Sequence, residues 1–323
     1  MKTVFIINPA AGKKKNIDGI VGKIRSLSEK ENFDTDIYVT QYPGDAARYV
    51  REYCEKNGCG RFIACGGDGT FNEVLDGSMG FDNAEIGVMP MGTGNDFCRN
   101  FGCSEFFSDI NRLVCAGTVR CDALKYTTEL DGEKRVGYCA NMFNIGFDCN
   151  VADMTSEMKK KPFISGSLAY FLSIFVMLVK KKGCEMKLFL DGRKVYDGKL
   201  LLTSIANGCF CGGGIKSNPL ACVTDGLINI NIIKNVSRLR FISLLPKYMN
   251  GTVLEVKNVQ RFITSEKCRK ITVLPKNGKM RLCIDGEIVD AGNTEFEILP
   301  GAFSFVVPQE TNTYKAEIAN GKV

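Results

Sequence analysis

Residues 62–77 read "FIACGGDGTFNEVLDG", and they set a carboxylate, Asp68, inside a run of glycines. The apolar run ending at Cys65 predicts a buried strand, and Gly66 and Gly67 permit a tight turn with close backbone approach. Thr70 with Glu73 matches a capping box at the start of a helix. Free amides at a helix N-terminus suit a phosphate. A carboxylate in the same turn repels phosphate unless a cation lies between them, so the arrangement points to Mg²⁺ bound alongside a nucleotide. The simpler reading is that Asp68 only caps the helix.

The flanking sequence extends this plan. "TVFIIN" (3–8), "DTDIYVT" (34–40), "RFIAC" (61–65) and "EIGVMP" (85–90) predict strands, and the stretches 17–32, 44–58, 70–77 and 109–117 predict helices. Strand and helix in alternation predict a parallel sheet with helices on both faces. Two more polar turns fall after strands: "NPAAGKKK" (8–15), and "GTGNDF" (92–97), whose Thr93, Asn95 and Asp96 can bond phosphate, ribose or the turn itself. No Walker loop is present, and "GTGNDF" lacks the third glycine of the dinucleotide fingerprint. Three such turns on one sheet edge predict a single nucleotide site.

The 323 residues, 45% hydrophobic and 24% charged, predict a soluble chain with a large core and two domains. The net charge of +6 gathers in lysine triplets at 13–15, 159–161 and 180–182, which read as solvated surface or as contacts for phosphate or lipid headgroups. Without interleaved aromatic and basic residues, no nucleic-acid partner is expected. The opening "MKTVFIINPAAG" is too short an apolar run for a secretory signal, which predicts a cytoplasmic protein. Fifteen cysteines, none in a CxxC pair, read as reduced core residues. The absence of histidine excludes Cys/His metal sites and leaves any general base to a carboxylate, lysine, tyrosine or cysteine. Residues 162–179, "PFISGSLAYFLSIFVMLV", have the length of a membrane span, yet their serines, glycine, tyrosine and symmetrical lysine flanks favour a buried or membrane-contacting helix.

Beyond residue 121 the pattern changes. Residues 183–307 read mostly as strands, with Asp-Gly and Asn-Gly pairs supplying hairpin turns. They predict a mainly antiparallel sandwich or barrel with the 162–179 helix near its start. The exposed edge of such a sandwich would support a homodimer.

In this order and spacing, "NPAAGKK", "GGDGTFNEVLDG" and "GTGNDF" resemble the catalytic domain of the diacylglycerol kinase and sphingosine kinase superfamily, in particular its soluble bacterial lipid kinases. The resemblance continues through "PGDAARYV", "CDALKY", "GFD", "GSLAY", "ANGCFCGGGIKSNPLACVTDGLINI" and "CIDGEIVD", and so covers nearly the whole chain. NAD kinases and phosphofructokinases share the GGDG turn, but not the later motifs.

The resemblance implies an α/β nucleotide-binding domain, 1–121, completed by 308–323, and a β-sandwich lipid-substrate domain, 122–307. It implies ATP and Mg²⁺ as cofactors. Asn8, Pro9, Ala10, Gly12, Lys13, Thr40, Gly66, Gly67, Asp68, Gly69, Thr70, Asn72, Glu73 and Thr93 match nucleotide-binding positions. Asp68 and Asp122 match acids that organise Mg²⁺ through water, and Asp225 with the carbonyls of Cys222 and Leu227 matches a structural Mg²⁺ site of some members; Asp225-Gly226 reads equally as a plain turn. Asp285 matches the position of a general base, with Glu287 beside it, although Asp131-Gly132 and Asp191-Gly192 show the same local pattern. The implied activity is phosphorylation of a lipid hydroxyl such as that of diacylglycerol, by a protein visiting the inner face of the cytoplasmic membrane. A non-catalytic binder of the same fold, or a kinase of a soluble acceptor such as NAD, are the alternatives.

Overall fold

The apolar runs at the centre of the first third, Thr3–Ile7 and Gly60–Gly66, become strands buried along their whole length, as a parallel sheet covered on both faces requires, while the strand at its edge, Thr35–Val39, is only partly buried. β1 (Thr3–Ile7), α1 (Ile17–Glu31), β2 (Thr35–Val39), α2 (Asp45–Asn57), β3 (Gly60–Gly66), α3 (Asp68–Ser78), β4 (Ala84–Pro90) and α4 (Ile110–Cys115) follow in order, with ends within two residues of those expected. The computed structural model describes residues 1–11, 17–92, 94–102, 104–146 and 183–308. The described residues fall into two compact units, Met1–Ala123 with Pro300–Pro308, and Leu124–Leu299. The expected completion of the first domain by 308–323 falls, beyond Pro308, outside the described residues, as does the 162–179 segment.

In the first unit β2, β1, β3 and β4 pair in that order, all parallel. The chain leaves β1 to one side for β2 and returns to its other side for β3, so the switch point lies between β1 and β3. Gly44 (φ 85°) and Gly58 (φ 76°) bracket α2 in the left-handed conformation. The capping box does not form. Helix α3 starts two residues before Thr70, with Gly67 at the N-cap, so Thr70 lies inside its first turn. Thr70 Oγ1 accepts from Asn8 Nδ2 (2.9 Å), and Glu73 Oε2 accepts the Ala46 amide of α2 (3.2 Å), so Glu73 serves a neighbouring helix.

β5 (Gly117–Leu130), β6 (Glu133–Cys139), β7 (Met142–Gly146), β8 (Cys184–Leu190), β9 (Arg193–Ala206), β10 (Ile228–Lys234), α5 (Arg238–Met249), β11 (Ile263–Cys268), β12 (Lys270–Pro275), β13 (Met280–Ile284), β14 (Glu287–Ala291) and β15 (Asn293–Val307) follow among the described residues. The second unit is a mainly antiparallel β-sandwich: β13 pairs with β14 and β7, β9 with β7, β8 and β10, and β12 with β8 and β15, all antiparallel. Within the first unit, Ser304 and Phe305 of β15 pair parallel with β4. Alternation builds the sandwich core: in "ININIIK" Ile228, Ile230 and Ile232 enter it, while Asn229 and Asn231 turn to the other face and are buried there.

Two local expectations change. Asp197-Gly198 is no hairpin, because Asp191-Gly192 has already reversed the chain and the second pair lies inside β9. The strand-rich reading also misses α5: "RLRFISLLPKYM" carries apolar residues on more than one face and Pro246 within it, which hides its helical period.

Candidate functional site

The polar turns of the first unit sit on the carboxyl ends of the parallel strands, and each is tied to its neighbour by backbone. Thr40 N donates to Ile7 O (2.9 Å), Asn8 N to Cys65 O (3.1 Å), and Met91 N to Gly66 O (2.8 Å). Asn8 stands at the switch point; its Oδ1 accepts the Ala10 amide (2.9 Å) and its Nδ2 reaches Thr70, so one side chain shapes the first turn and fixes it to the second. Pro9 and Ala10 are exposed, and Gly67, Asp68, Gly69, Asn72 and Glu73 are partly so. Gly12, Lys13 and Thr93 lie outside the described residues.

The turn after β4 presses against the turn after β3. A Cβ on Gly92 would lie 2.6 Å from Gly67 Cα, so only glycine fits there. Asn95 (φ 53°) clasps its own turn: Oδ1 accepts Gly92 N (3.2 Å) and Nδ2 donates to Gly92 O (2.9 Å). Asp68 then joins the two turns. Its Oδ2 accepts the Asn95 amide (2.8 Å) and its Oδ1 the Asp96 amide (2.7 Å), so the carboxylate reaches across to the second turn. Burial raises the Asp68 carboxyl above its ordinary range, while the amides of Asp96, Asn95 and Phe97 oppose the rise. Downstream, Phe97 is anchored between Phe71 (centroids 5.1 Å) and Phe305 (4.9 Å), so the clasped turn is fixed to the core.

Asp122, 2% exposed on β5, accepts the Gly301 amide (2.7 Å). Among the described residues no three cysteine, aspartate or glutamate groups converge on a metal position. A Mg²⁺ ion is commonly held by only one or two carboxylates, with water and phosphate oxygens completing its octahedron. The Asp68 oxygens accept the Asn95 and Asp96 amides, and the Phe97 amide adds to them, so the second turn already holds this carboxylate by its backbone. Asp225 differs: Oδ2 faces Lys267 Nζ at 2.6 Å and Oδ1 accepts the Leu227 amide (3.0 Å). An ammonium already stands at that carboxylate.

In the second unit Asp285 (φ 43°) and Gly286 (φ 98°) turn β13 into β14, with Glu287 exposed at the start of β14. The Asp285 carboxylate is held by the end of β6 and the start of β7: Oδ1 accepts the Met142 amide (3.0 Å) and Oδ2 accepts the Cys139 thiol (3.1 Å). Cys139 is wholly buried, and burial first, then the Asp285 charge, pushes its thiol well above the ordinary range. It is therefore a neutral donor at physiological pH. Behind it Asn141 donates Nδ2 to Phe210 O (2.7 Å) and accepts the Asn207 and Gly208 amides at its carbonyl, which gives the "ANGCF" motif its place. Sequence reasoning missed Cys139, because its partner lies 146 residues away and no spacing signal links them.

Residues 2–125 match the family described as the diacylglycerol kinase catalytic domain, and residues 141–307 the YegS C-terminal NAD kinase beta sandwich-like domain. The chain is 30% identical over 312 residues to a diacylglycerol kinase of Bacillus subtilis (strain 168), covering 95% of this chain and 96% of that one. It is 28% identical over 290 residues to the lipid kinase YegS of Escherichia coli (strain K12), covering 88% and 90%. A crystal structure of a diacylglycerol kinase from Bacillus anthracis str. Sterne shares the fold, with a TM-score of 0.68 at 19% identity over 96% of this chain and 98% of that one.

Proposed function

Since the chain belongs to the family that joins a diacylglycerol kinase catalytic domain to a YegS-type sandwich and is a kinase, we propose that it transfers the γ-phosphoryl group of ATP to a lipid hydroxyl, first among them that of diacylglycerol, giving phosphatidic acid. The observation that carries the nucleotide half is the clasp at the switch point: Gly67 against Gly92, Asn8 on Thr70, and Asp68 across both turns. It leaves α3 amides and a carboxylate on a sheet edge of the kind that holds phosphates. Asn8, Thr40, Gly66 to Thr70, Asn72 and Glu73 shape that edge for the nucleotide. Mg²⁺, when bound, supplies positive charge to the phosphates, with Asp68 and Asp122 holding it through water.

On the acceptor side Asp285 takes the proton of the attacking hydroxyl. Phosphoryl transfer asks the protein mainly for positioning and charge neutralisation, and a positioned base adds about 10²- to 10⁴-fold. With no histidine in the chain, a carboxylate fixed by an amide and a thiol is well suited to that task. The NAD kinase-like character of the sandwich family keeps a soluble acceptor as the second reading.

The test is transfer from γ-labelled ATP with Mg²⁺ to a panel of lipids in mixed micelles, and to NAD, by the native chain, Asp285→Asn and Asp68→Asn. A labelled lipid lost with either substitution supports the reading and names the acceptor. Labelling of NAD alone replaces it with the second reading, and ATP binding without transfer to any acceptor replaces both with a non-catalytic binder.

A further inference from the structure

Helix α5 has two apolar faces, and the fold uses one. Phe241, Leu244, Leu245 and Tyr248 pack on a small core that includes Leu201, Ile233, Val253 and Ile263. At 100° per residue they share one side. Opposite them Leu239, Ile242 and Pro246, spaced three and four apart, form a second stripe: Leu239 is 81% exposed, Ile242 51%, and Pro246 is exposed as well. An exposed isolated leucine is ordinary, but an exposed helical repeat of apolar residues calls for an occupant.

The flank of that stripe is cationic. Arg240 and Lys247, seven apart, line one side of it, with Arg240 lying 4.5 Å over the Phe262 ring. No acid lies on the helix, and between residues 234 and 262 the sequence places Lys234, Arg238, Arg240, Lys247, Lys257 and Arg261 against the single acid Glu255. A second copy docking through this face in a twofold manner would set the cationic flank beside itself. An anionic surface with an apolar interior meets both the charge and the stripe. Pro246 lacks the amide proton that would pair with the Ile242 carbonyl.

We propose that the outward face of α5 docks on anionic bilayers, with Leu239 and Ile242 in the interfacial zone and Arg240 and Lys247 at headgroup level. The inference rests on the reading that the acceptor is a membrane lipid. Leu239, Ile242 and Lys247 are exposed, and Arg240 is exposed with its guanidinium over Phe262, a contact whose loss leaves the core beneath the helix intact.

The experiment measures binding of the full chain to phosphatidylcholine vesicles with and without phosphatidylglycerol, by flotation, for the native chain, Leu239→Ser with Ile242→Ser, and Arg240→Gln with Lys247→Gln. In parallel it compares kinase rates on diacylglycerol in those vesicles and on a short-chain, freely soluble diacylglycerol. The expected result is at least a tenfold loss of binding to phosphatidylglycerol vesicles in both double variants, an equal loss of rate on vesicles, and an unchanged rate on the soluble acceptor. Vesicle binding unaltered by either pair overturns the proposal. So does a native dimer in light scattering that Leu239→Ser with Ile242→Ser separates without altering vesicle binding, which assigns the face to a second copy. If no lipid is phosphorylated yet vesicle binding depends on this face, the kinase reading fails and the docking surface stands; phosphorylation of soluble acceptor without vesicle binding has the opposite meaning.

Discussion

Asp191-Gly192 and Asp285-Gly286 are nearly the same turn. Both reverse adjacent antiparallel strands, with Asp at φ 48° and 43° and Gly at 82° and 98°. Both send the Asp carboxylate to another strand: Asp191 Oδ1 accepts the Arg269 and Lys270 amides (3.0 and 2.8 Å), and Asp285 Oδ1 accepts that of Met142 (3.0 Å). Each has a buried cysteine nearby, Cys268 feeling the charge of Asp191, and Cys139 bonded to Asp285 Oδ2. The differences are small. Asp191 is exposed and held by amides alone, whereas Asp285 is partly buried and one of its oxygens answers to a thiol. The same backbone device is thereby held by amides in one place and by an amide and a thiol in the other.

The strongest test separates the two turns by readout. Asparagine tolerates the left-handed backbone at both positions, so neither substitution strains the turn. Asp285→Asn should lower kcat about 10²- to 10⁴-fold with KM for ATP nearly unchanged. Asp191→Asn should leave kcat alone and cost less than about 1 kcal/mol in urea unfolding, since Oδ1 still accepts both amides and only the charge on the acceptor is lost. Equal kinetic effects from both would erase the distinction.

A smaller effect is expected at Cys139. Cys139→Val removes the donor to Asp285 Oδ2 and should lower kcat about tenfold, the weight of one hydrogen bond to a charged group. The thiol favours the ionised carboxylate, so its loss should also move the acid limb of the kcat–pH profile to higher pH, and Cys139→Ser should restore much of both. A lowered Tm with an unmoved acid limb would reduce Cys139 to packing.

Both turns also enter the alkaline stability of the protein. Burial raises the Cys268 thiol to about 12, with Asp191 adding to the rise, and lifts Cys139 well above its ordinary range. Cys98 is raised to about 12, and Cys54 and Cys209 to about 11, by the same cause. A thiol whose folded value lies above its unfolded one contributes stability that is complete below the unfolded value of about 8.5 and is lost as pH rises through the folded value. Stability should therefore fall between pH about 8.5 and 11, by up to about 1.4 kcal/mol per pH unit for each thiol ionised only in the unfolded chain. Cys139→Val and Cys268→Val should each flatten that slope by one thiol's share in urea unfolding series.

How much of this the sequence discloses follows from the range of the forces involved. The strands and helices around Gly66–Thr70 are legible because continuous apolar runs, helical spacing and the glycines at 44 and 58 are local signals. The meeting of three turns on one edge follows from parallel topology. What Asp68 touches does not follow, since its partners Asn95 and Asp96 belong to another turn, and Glu73 spends its carboxylate on Ala46 of a different helix. Local pattern treats Asp131, Asp191 and Asp285 alike, and the contacts that part the latter two span 78 and 146 residues. Family resemblance alone selects Asp285; the structure adds the contact that sets it apart from Asp191, a buried thiol from the end of β6. Helix α5 stays hidden because the stripe left outside its fold blurs the period of the stripe inside.

A third acid turn sharpens the comparison with the smallest effect. Asp225-Gly226 (φ 69°) presents its carboxylate to an ammonium, Lys267 Nζ, where Asp191 meets only amides and Asp285 an amide and a thiol. Both partners are partly solvated, at 24% and 38% side-chain exposure, so breaking the pair by Lys267→Met should itself cost less than about 1 kcal/mol. The substitution frees Asp225 Oδ2. Millimolar Mg²⁺ should then raise the Tm of Lys267→Met more than that of the native chain, by the equivalent of about 1.4 kcal/mol at ten times its dissociation constant. If Mg²⁺ instead stabilises the native chain as strongly, and Asp225→Asn abolishes the gain, the ammonium yields to the ion. The partner of a turn carboxylate would then be exchangeable at Asp225, in contrast to the backbone amides that fix Asp191 and Asp285.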